Sequence, residues 1–183
     1  MTGFRLTTGV MALFAGLVAG RTAVAQESQA GTTGEGVRIG TFDSRALAMA
    51  YYRSEPFRRH MTDLHRQLDE AKANGDDERV QELERHGPEL QRLVHRQGFS
   101  TWPVDNILEK IEAEIPQIAA QAGVDVIVSK WDIVYQQSGL EFVDVTDLIV
   151  VPFEPSEETL QVIREIREQE PVPVEELTEH QGG

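Results

Sequence analysis

The sequence contains no cysteine among its 183 residues, and it is poor in aromatic and basic side chains. The absence of cysteine excludes disulfides, thiolate zinc sites, iron–sulfur clusters, thiol nucleophiles and a lipid-acylated cysteine anchor. Seventeen Lys and Arg residues stand against thirty-one Asp and Glu residues, for a formal net charge of −14. A chain this acidic lacks the clustered cations that DNA and RNA phosphates require. We therefore expect one domain of ordinary size and no nucleic-acid partner.

Motifs of known active sites are also missing. The sequence contains no G-x-S-x-G elbow, no glycine-rich phosphate loop and no H-E-x-x-H pair. Its acidic residues recur among Arg and Gln in helical segments, a pattern typical of solvated helix faces. We therefore expect neither enzymatic activity nor a cofactor.

Four of the five histidines fall in one helical region, at His60, His65, His86 and His95. His65 and His86 lie symmetrically about the turn signal at residues 74–77, so they would lie opposite each other if the two flanking helices packed antiparallel. A zinc site needs three or four ligands, and the sequence offers no further ligand beside these two. Ordinary surface histidines are the favoured interpretation, and a metal-binding or small-ligand-binding domain is the weaker alternative.

The first 25 residues have the pattern of a cleaved signal peptide. Arg5 supplies a positive n-region, residues 10–19 form an apolar h-region, and residues 23–25 (AVA) match the small-x-small cleavage pattern. The apolar run ends at Arg21, short of the roughly 20 residues that span a bilayer, so an uncleaved anchor is the weaker alternative. The sequence predicts export to the periplasm, cleavage after Ala25 and no stable membrane anchor.

Negative charge is unevenly distributed along the chain expected after cleavage. Loss of Arg5 and Arg21 leaves 15 basic residues against 31 acidic ones, a net charge of −16. Residues 26–36 carry almost nothing apolar and are typical of a disordered lead-in. Residues 44–100 hold ten basic and ten acidic residues, whereas residues 141–183 hold twelve acidic residues and two arginines. The excess acidity therefore belongs chiefly to the C-terminal segment.

The strongest periodic pattern predicts two helices around a tight turn. A strand over residues 37–42 and a short helix capped by Asp43 or Ser44 come before them. The turn signal is the sequence NGDD at residues 74–77. Apolar positions recur at spacings of three and four on both sides of this turn, at Phe57, Met61, Leu64, Leu68 and Ala71 and then at Val80, Leu83, Gly87, Leu90 and Val94. Two such seams predict an antiparallel helical hairpin that projects roughly 25–30 Å.

Prolines interrupt the segment that follows the turn. Residues 87–88 (GP) are expected to kink or break the returning helix. A further helix is expected over residues 103–122, with a bend at Pro116. Between these helices lie Phe99 and Trp102, which either fasten the helices together or form an apolar contact surface.

Short β-branched runs predict the remaining strands. They cover residues 124–128, 131–135 and 141–145. Two short helices are then expected, over residues 146–151 and from a start signal at residues 155–158 to about Arg167, followed by an extended step at residues 171–174.

The order of these elements resembles the Skp/OmpH-like family of periplasmic chaperones. The resemblance rests on residues 37–44 (VRIGTFDS) and 118–128 (IAAQAGVDVIV), with residues 133–135 and 143–147 after them, and it covers the order of elements over residues 37–147. It implies an α+β fold: a small β-sheet core with a protruding antiparallel helical hairpin. In this chain an acidic, helical and extended C-terminal tail would follow over residues 148–183.

The resemblance also implies a function without catalysis. Members bind unfolded envelope and outer-membrane proteins as holdase chaperones, and they assemble as homotrimers. The residues expected to contact a client or partner are Phe57, Met61, Leu64, Leu68, Leu90, Val94, Phe99 and Trp102. The short, proline-interrupted helices also fit an alternative, a structural or scaffolding module of the cell envelope that keeps the fold without client binding.

Overall fold

A computed structural model describes residues 36–179, and most of this part of the chain is helical. The helices are α1 (Ser44–Tyr52), α2 (Glu55–Asn74), α3 (Asp77–Phe99), α4 (Asp105–Leu108), α5 (Ile115–Ala122), α6 (Thr146–Ile149), α7 (Glu157–Arg167) and α8 (Val174–Glu179). The strands are β1 (Ile39–Phe42), β2 (Val126–Ser129) and β3 (Phe142–Asp144), and short 3-10 turns lie at Glu109–Ile111, Lys130–Asp132 and Val151–Phe153. The predicted signal peptide and nearly all of the predicted lead-in lie outside the described residues.

The three strands form one parallel sheet in the order β2–β1–β3. In this register Ile39 of the central strand lies opposite Val126 on one side and opposite Phe142 on the other. Parallel neighbours cannot be joined by a tight hairpin, so longer connections must carry the chain back between them. The carboxyl ends of all three strands therefore meet at one edge of the sheet.

Three of the four predicted strands are confirmed to within two residues at each end, and the fourth is wrong. Residues 130–132 form a 3-10 turn where a strand over residues 131–135 was expected, and residues 133–135 have no regular structure. The side chains of Lys130 and Trp131 both reach the buried carboxylate of Asp43. These bonds hold the chain at the end of β2, so its backbone turns away from the strand direction.

Helix α1 lies in the core because most of its side chains are apolar, and alanine occupies three of its nine positions. Asp43 caps the helix by accepting a hydrogen bond from the backbone N of Arg45 at 3.0 Å, which confirms the predicted start. Leu47 is fully buried, as are the alanines at positions 46, 48 and 50. Alanines allow close backbone approach, and α1 packs directly against both α3 and α7.

Helices α2 and α3 flank the predicted turn. Gly75 ends α2 in the left-handed conformation at φ 67°, and Asp76 begins α3 by accepting a hydrogen bond from the backbone N of Arg79 at 3.1 Å. A kink or a break was expected at residues 87–88, and the break is wrong, because α3 continues through Pro88. Proline at position 88 removes the hydrogen bond that the carbonyl of Glu84 would otherwise accept, and residues 84–88 are all exposed, so water can bond to that carbonyl.

The single bent helix expected over residues 103–122 is also wrong. The structure has α4, a 3-10 turn and then α5, which starts at Ile115. Pro116 lies in the first turn of α5, where a backbone N–H has no intrahelical partner to lose. The proline therefore helps to begin a helix instead of bending one.

The segment after β3 contributes to the core. Helices α6 and α7 confirm the two helices predicted there, and Ile149 and Ile163 on them are fully buried. Phe153 between them belongs to the same apolar cluster as α1. Further on, the backbone N of Val172 donates a hydrogen bond to the carbonyl oxygen of Phe99 at 2.9 Å. Acidic side chains therefore cover the outside of this segment, while its apolar side chains complete the core.

Candidate functional site

The eight residues predicted to contact a client lie along α2 and α3 and at the base of that helix pair. Six of them are half-buried seam positions: Phe57, Met61, Leu64, Leu68, Leu90 and Val94. Ala71 and Leu83, nearer the turn, are buried, and most other side chains of the two helices are exposed. The spacing of apolar residues therefore predicted correctly which faces of α2 and α3 are turned away from solvent.

Polar side chains connect the two helices close to the turn. Arg79 Nη2 donates a hydrogen bond to Gln67 Oε1 at 2.6 Å. Lys72 Nζ lies 3.1 Å from Glu84 Oε1, and both side chains of this ion pair are about half exposed. Exposed ion pairs contribute little stability, so these contacts align the helices more than they hold them together.

An open cavity of about 370 Å³ lies against the seam of the helix pair. Leu64 and Leu83 provide apolar walls, and Arg79 and His86 are among its polar lining residues. Gly87 occupies the neighbouring seam position, and a Cβ built there would have no neighbour within 4 Å. The seam is incompletely filled where glycine replaces a side chain, so part of its apolar surface stays accessible.

Aromatic rings join the base of α2 to the core. The Phe57 ring contacts those of Tyr51 and Tyr52 edge-on, with centroids 5.3 and 4.9 Å apart. Tyr51 in turn lies 5.4 Å from Phe153. Such pairs stabilise a fold beyond their buried area. Phe57 is therefore an anchor of the helix pair, whereas the seam residues beyond it lie outside the main core cluster.

Phe99 and Trp102 lie at the end of α3 and contact side chains of that helix. The Phe99 ring stands perpendicular to the His95 ring at 5.9 Å, and the Arg96 guanidinium lies 4.8 Å from the Trp102 ring centre. Trp102 is half-buried, whereas Phe99 is among the exposed large apolar side chains. These contacts support the interpretation that the two aromatics fasten the end of α3, and they leave Phe99 accessible.

A second constellation surrounds the buried carboxylate of Asp43 at the carboxyl ends of the strands. Its Oδ1 accepts hydrogen bonds from Arg45 Nε at 3.1 Å and Trp131 Nε1 at 3.3 Å. Its Oδ2 accepts from Arg45 Nη2 at 2.9 Å and lies 2.7 Å from Lys130 Nζ. The backbone N of Asp43 donates to Thr146 Oγ1 at 3.0 Å. Because Asp43, Lys130 and Thr146 follow β1, β2 and β3, the cluster joins all three strand ends.

Each charged side chain of this cluster lies within ion-pair distance of an opposite charge, since Arg45 and Lys130 both pair with Asp43. Burial alone would raise the pKa of the Asp43 carboxyl, but the hydrogen bonds and positive charges of Arg45 and Lys130 outweigh burial and lower that pKa from 3.8 to about 2. Arg45 is only 1% exposed, and its guanidinium also donates to the carbonyl oxygen of Gln169 at 2.9 Å. A carboxylate this acidic cannot take up a proton near neutral pH, so the arrangement fits a structural hub and not an acid–base catalyst.

Sequence reasoning identified Asp43 only as a helix cap and missed the rest of this cluster. The available signal was position, since Asp43 directly follows the strand predicted over residues 37–42 and Lys130 lies two residues beyond the strand predicted over residues 124–128. The carboxyl ends of neighbouring strands coincide only if the strands run parallel, and the strand directions were not part of the prediction. The sequence therefore contained the residues of the cluster without the geometry that brings them together.

A buried amide forms a further polar junction beneath the helix pair. Gln97 Nε2 donates hydrogen bonds to the carbonyl oxygen of Pro103 at 2.5 Å and to Asn106 Oδ1 at 2.6 Å, and the Tyr52 hydroxyl donates to Gln97 Oε1. Burial raises the pKa of the Tyr52 hydroxyl to about 12. This network ties the ends of α1 and α3 to α4.

Apolar side chains are exposed along one edge of the sheet and in the connection from β2 to β3. Val134 is 100% and Tyr135 82% exposed, and Val126 on β2 and Leu140 before β3 are also among the exposed apolar residues. Both β2 and β3 are edge strands, whose outer backbone groups have no strand partner within the described sheet. Exposed apolar residues beside an open strand edge are typical of an association surface.

No protein-family model, curated protein or solved structure significantly matches this chain. Within residues 36–179, no three side chains of the His, Asp or Glu type are grouped closely enough to hold a metal ion. The helices in the same range are each too short or too polar to span a bilayer.

Proposed function

We propose that the protein is an exported, non-enzymatic holdase of Skp/OmpH-like architecture that binds unfolded envelope and outer-membrane proteins. In this proposal α2 and α3 form an antiparallel helical hairpin, and the half-buried seam residues contact the client. The chain acts in the periplasm after cleavage behind Ala25, and it assembles as a homo-oligomer, a trimer by the family resemblance.

The observation that carries the proposal is the incompletely filled seam of the helix pair. Beyond Phe57, no side chain of α2 belongs to the main core cluster, so the rest of this helix packs chiefly against α3. The cavity beside Leu64 and Leu83 leaves apolar surface accessible within this part. Helices with accessible apolar faces can bind exposed apolar segments of other chains, which is what a holdase requires.

A dilution experiment tests the holdase proposal. An unfolded outer-membrane protein is diluted from denaturant with and without the purified protein, and aggregation is followed by light scattering. We expect suppression at near-stoichiometric ratios, and a Leu64→Gln/Leu90→Gln variant should lose most of it. The matched control is Asp69→Gln on the exposed face of α2, which should retain it. Unchanged aggregation at several-fold excess of the wild-type protein contradicts the proposal.

The second candidate is a structural or scaffolding module of the cell envelope. The exposed residues Val134 and Tyr135 in the connection from β2 to β3 favour it, because a fixed partner or a second copy of the chain would cover them. This candidate differs from a holdase in selectivity. It predicts stable self-association or one partner, together with no effect on the aggregation of unrelated unfolded proteins.

A further inference from the structure

The turn between α2 and α3 holds the one Asn-Gly pair of the sequence. Asn74 is the last residue of α2, and Gly75 follows it in the left-handed conformation at φ 67° and ψ 28°. Both residues are exposed. The sequence has one other asparagine, Asn106, which is followed by Ile107. The proposed holdase activity uses the seam of the helix pair and assigns no role to this turn.

An asparagine side chain can react with the backbone nitrogen of the residue that follows it. The nitrogen loses its proton and bonds to the side-chain carbon Cγ, the bond from Cγ to the amide nitrogen breaks, and ammonia leaves a five-membered succinimide ring. Water then opens the ring at either carbonyl. The product is aspartate or isoaspartate, and in isoaspartate the main chain runs through Cγ and is one atom longer. A following glycine favours the reaction, because it has no Cβ to hinder the approach.

The structure leaves this approach open at Asn74. A Cβ built at Gly75 would have no neighbour within 4 Å among the described residues, so nothing there crowds the turn. The Gly75 N–H donates to the carbonyl oxygen of Lys72 at 3.3 Å, a long bond at the exposed end of a helix. Helix ends of this kind open locally at little cost in free energy. The reaction therefore proceeds from the opened last turn of α2, where the nitrogen is free to reach Cγ.

The fold protects the other asparagine, which makes it an internal reference. Asn106 is half-buried, and its Oδ1 accepts a hydrogen bond from Gln97 Nε2 at 2.6 Å. The nucleophile there would be the backbone N of Ile107, which donates to the carbonyl oxygen of Val104 at 2.8 Å. Ile107 is fully buried, and its branched Cβ hinders the approach. Both reacting groups are thus held within the fold.

We infer that Asn74 is a site of spontaneous deamidation, a modification that loosens the turn of the helix pair with time. The product places a carboxylate at the C-terminal end of α2, where the helix dipole disfavours negative charge. Asp76 and Asp77, which follow at once, add repulsion. The longer main chain of isoaspartate also displaces Gly75 and Asp76 from the carbonyl oxygens of Lys72 and Ala71 that they now contact. This inference does not depend on the proposed holdase function.

Peptide mass spectrometry of the incubated full protein tests the inference. Trypsin cleavage after Lys72 and Arg79 releases residues 73–79, and cleavage after Arg96 and Lys110 releases residues 97–110, each with one asparagine. During incubation in mildly alkaline buffer, we expect residues 73–79 to gain the mass of an amide-to-acid conversion at least tenfold faster than residues 97–110. The product should separate into two isomers on chromatography. An unincubated sample corrects for conversion during digestion, and equal rates in the two peptides would overturn the inference.

The same measurement in denaturing urea tests the part played by the helix cap. Unfolding removes the bond from Gly75 to Lys72 and the helical geometry at Asn74, so the rate at Asn74 should rise several-fold. A rate that urea leaves unchanged would contradict a reaction limited by opening of the last turn.

A variant separates the effect of the modification from other effects of incubation. Asn74→Gln keeps a side-chain amide, but its reaction needs a larger ring and is far slower. Hydrogen exchange at the amides of Gly75 and Asp76 reports on the turn. We expect exchange to become several-fold faster in the wild type as deamidation proceeds and to stay constant in Asn74→Gln. Asn74→Asp should exchange faster from the start, because it carries the new charge. Equal exchange in fresh and deamidated wild-type protein would contradict the loosening of the turn.

Discussion

The guanidinium of Arg45 donates a hydrogen bond to the carbonyl oxygen of Gln169, 2.9 Å away and 124 residues later in the chain. The same guanidinium is held by the carboxylate of Asp43, which caps α1. A buried ion pair thus links the first helix to the residues just after α7. Because a buried charge is costly without its partner, the fold depends on both members of this pair.

Replacing Asp43 with asparagine should be the most damaging single change to the hub. Asp43→Asn leaves the buried Arg45 charge without its carboxylate, and we expect a loss of about 3–5 kcal/mol in the free energy of unfolding. Urea denaturation followed by circular dichroism measures this loss. Asp144→Asn is the control, because Asp144 pairs with Arg167 at the surface, where a pair is worth about 1 kcal/mol or less. Equal losses in the two variants would contradict the assigned role of Asp43.

The same carboxylate should make stability depend on acid pH. Its pKa is about 2 in the folded protein and 3.8 as an ordinary value, so the unfolded chain binds the proton more tightly. The difference corresponds to about 2 kcal/mol of stabilisation that is fully present above pH 4 and is lost as the pH falls toward 2. Urea unfolding at a series of pH values measures it. The wild type should lose this increment over that interval, and Asp43→Asn should lack it. Parallel curves for the two proteins would argue against it.

Local signals predicted the local elements of this fold, and long-range geometry explains the differences. The start of α1 at Asp43 or Ser44, the turn at residues 74–77 and the apolar faces of α2 and α3 depend on neighbours within a few residues, and all were predicted correctly. The strand expected at residues 131–135 failed because Lys130 is held by a carboxylate 87 positions earlier in the numbering of the chain. No local pattern contains that bond. The hub was missed for the same reason, since it requires the relative direction of strands that are distant in sequence.

Two glycines should respond in opposite ways to the addition of one methyl group. A Cβ at Gly40 in the central strand would lie 3.1 Å from side-chain carbons of both Val124 and Val145. Gly40→Ala should therefore cost about 1–3 kcal/mol through overpacking. Gly87→Ala has no neighbour within 4 Å and lies inside α3, so it should gain about 0.5–1 kcal/mol from helix propensity. Thermal unfolding of both variants measures the difference. A stabilising Gly40→Ala would show that the sheet relaxes around the added methyl group.

The exposed connection between β2 and β3 provides a test of self-association that leaves the fold intact. Val134 is fully exposed and Tyr135 nearly so, so Val134→Asp and Tyr135→Asp remove little or no contact within the chain. We expect both variants to keep the wild-type Tm at concentrations where the protein is monomeric, because exposed substitutions usually change stability by no more than about 0.5 kcal/mol. If a second copy covers this segment, a charge placed there must be desolvated on association, and the molar mass measured by light scattering should fall. Gln137→Asp, in the same connection but without an apolar side chain to lose, is the control for added charge.

Two outcomes would contradict this prediction. A molar mass that stays at the wild-type value in both variants would place the association surface elsewhere, and a monomeric wild-type protein would count against the proposed homo-oligomer.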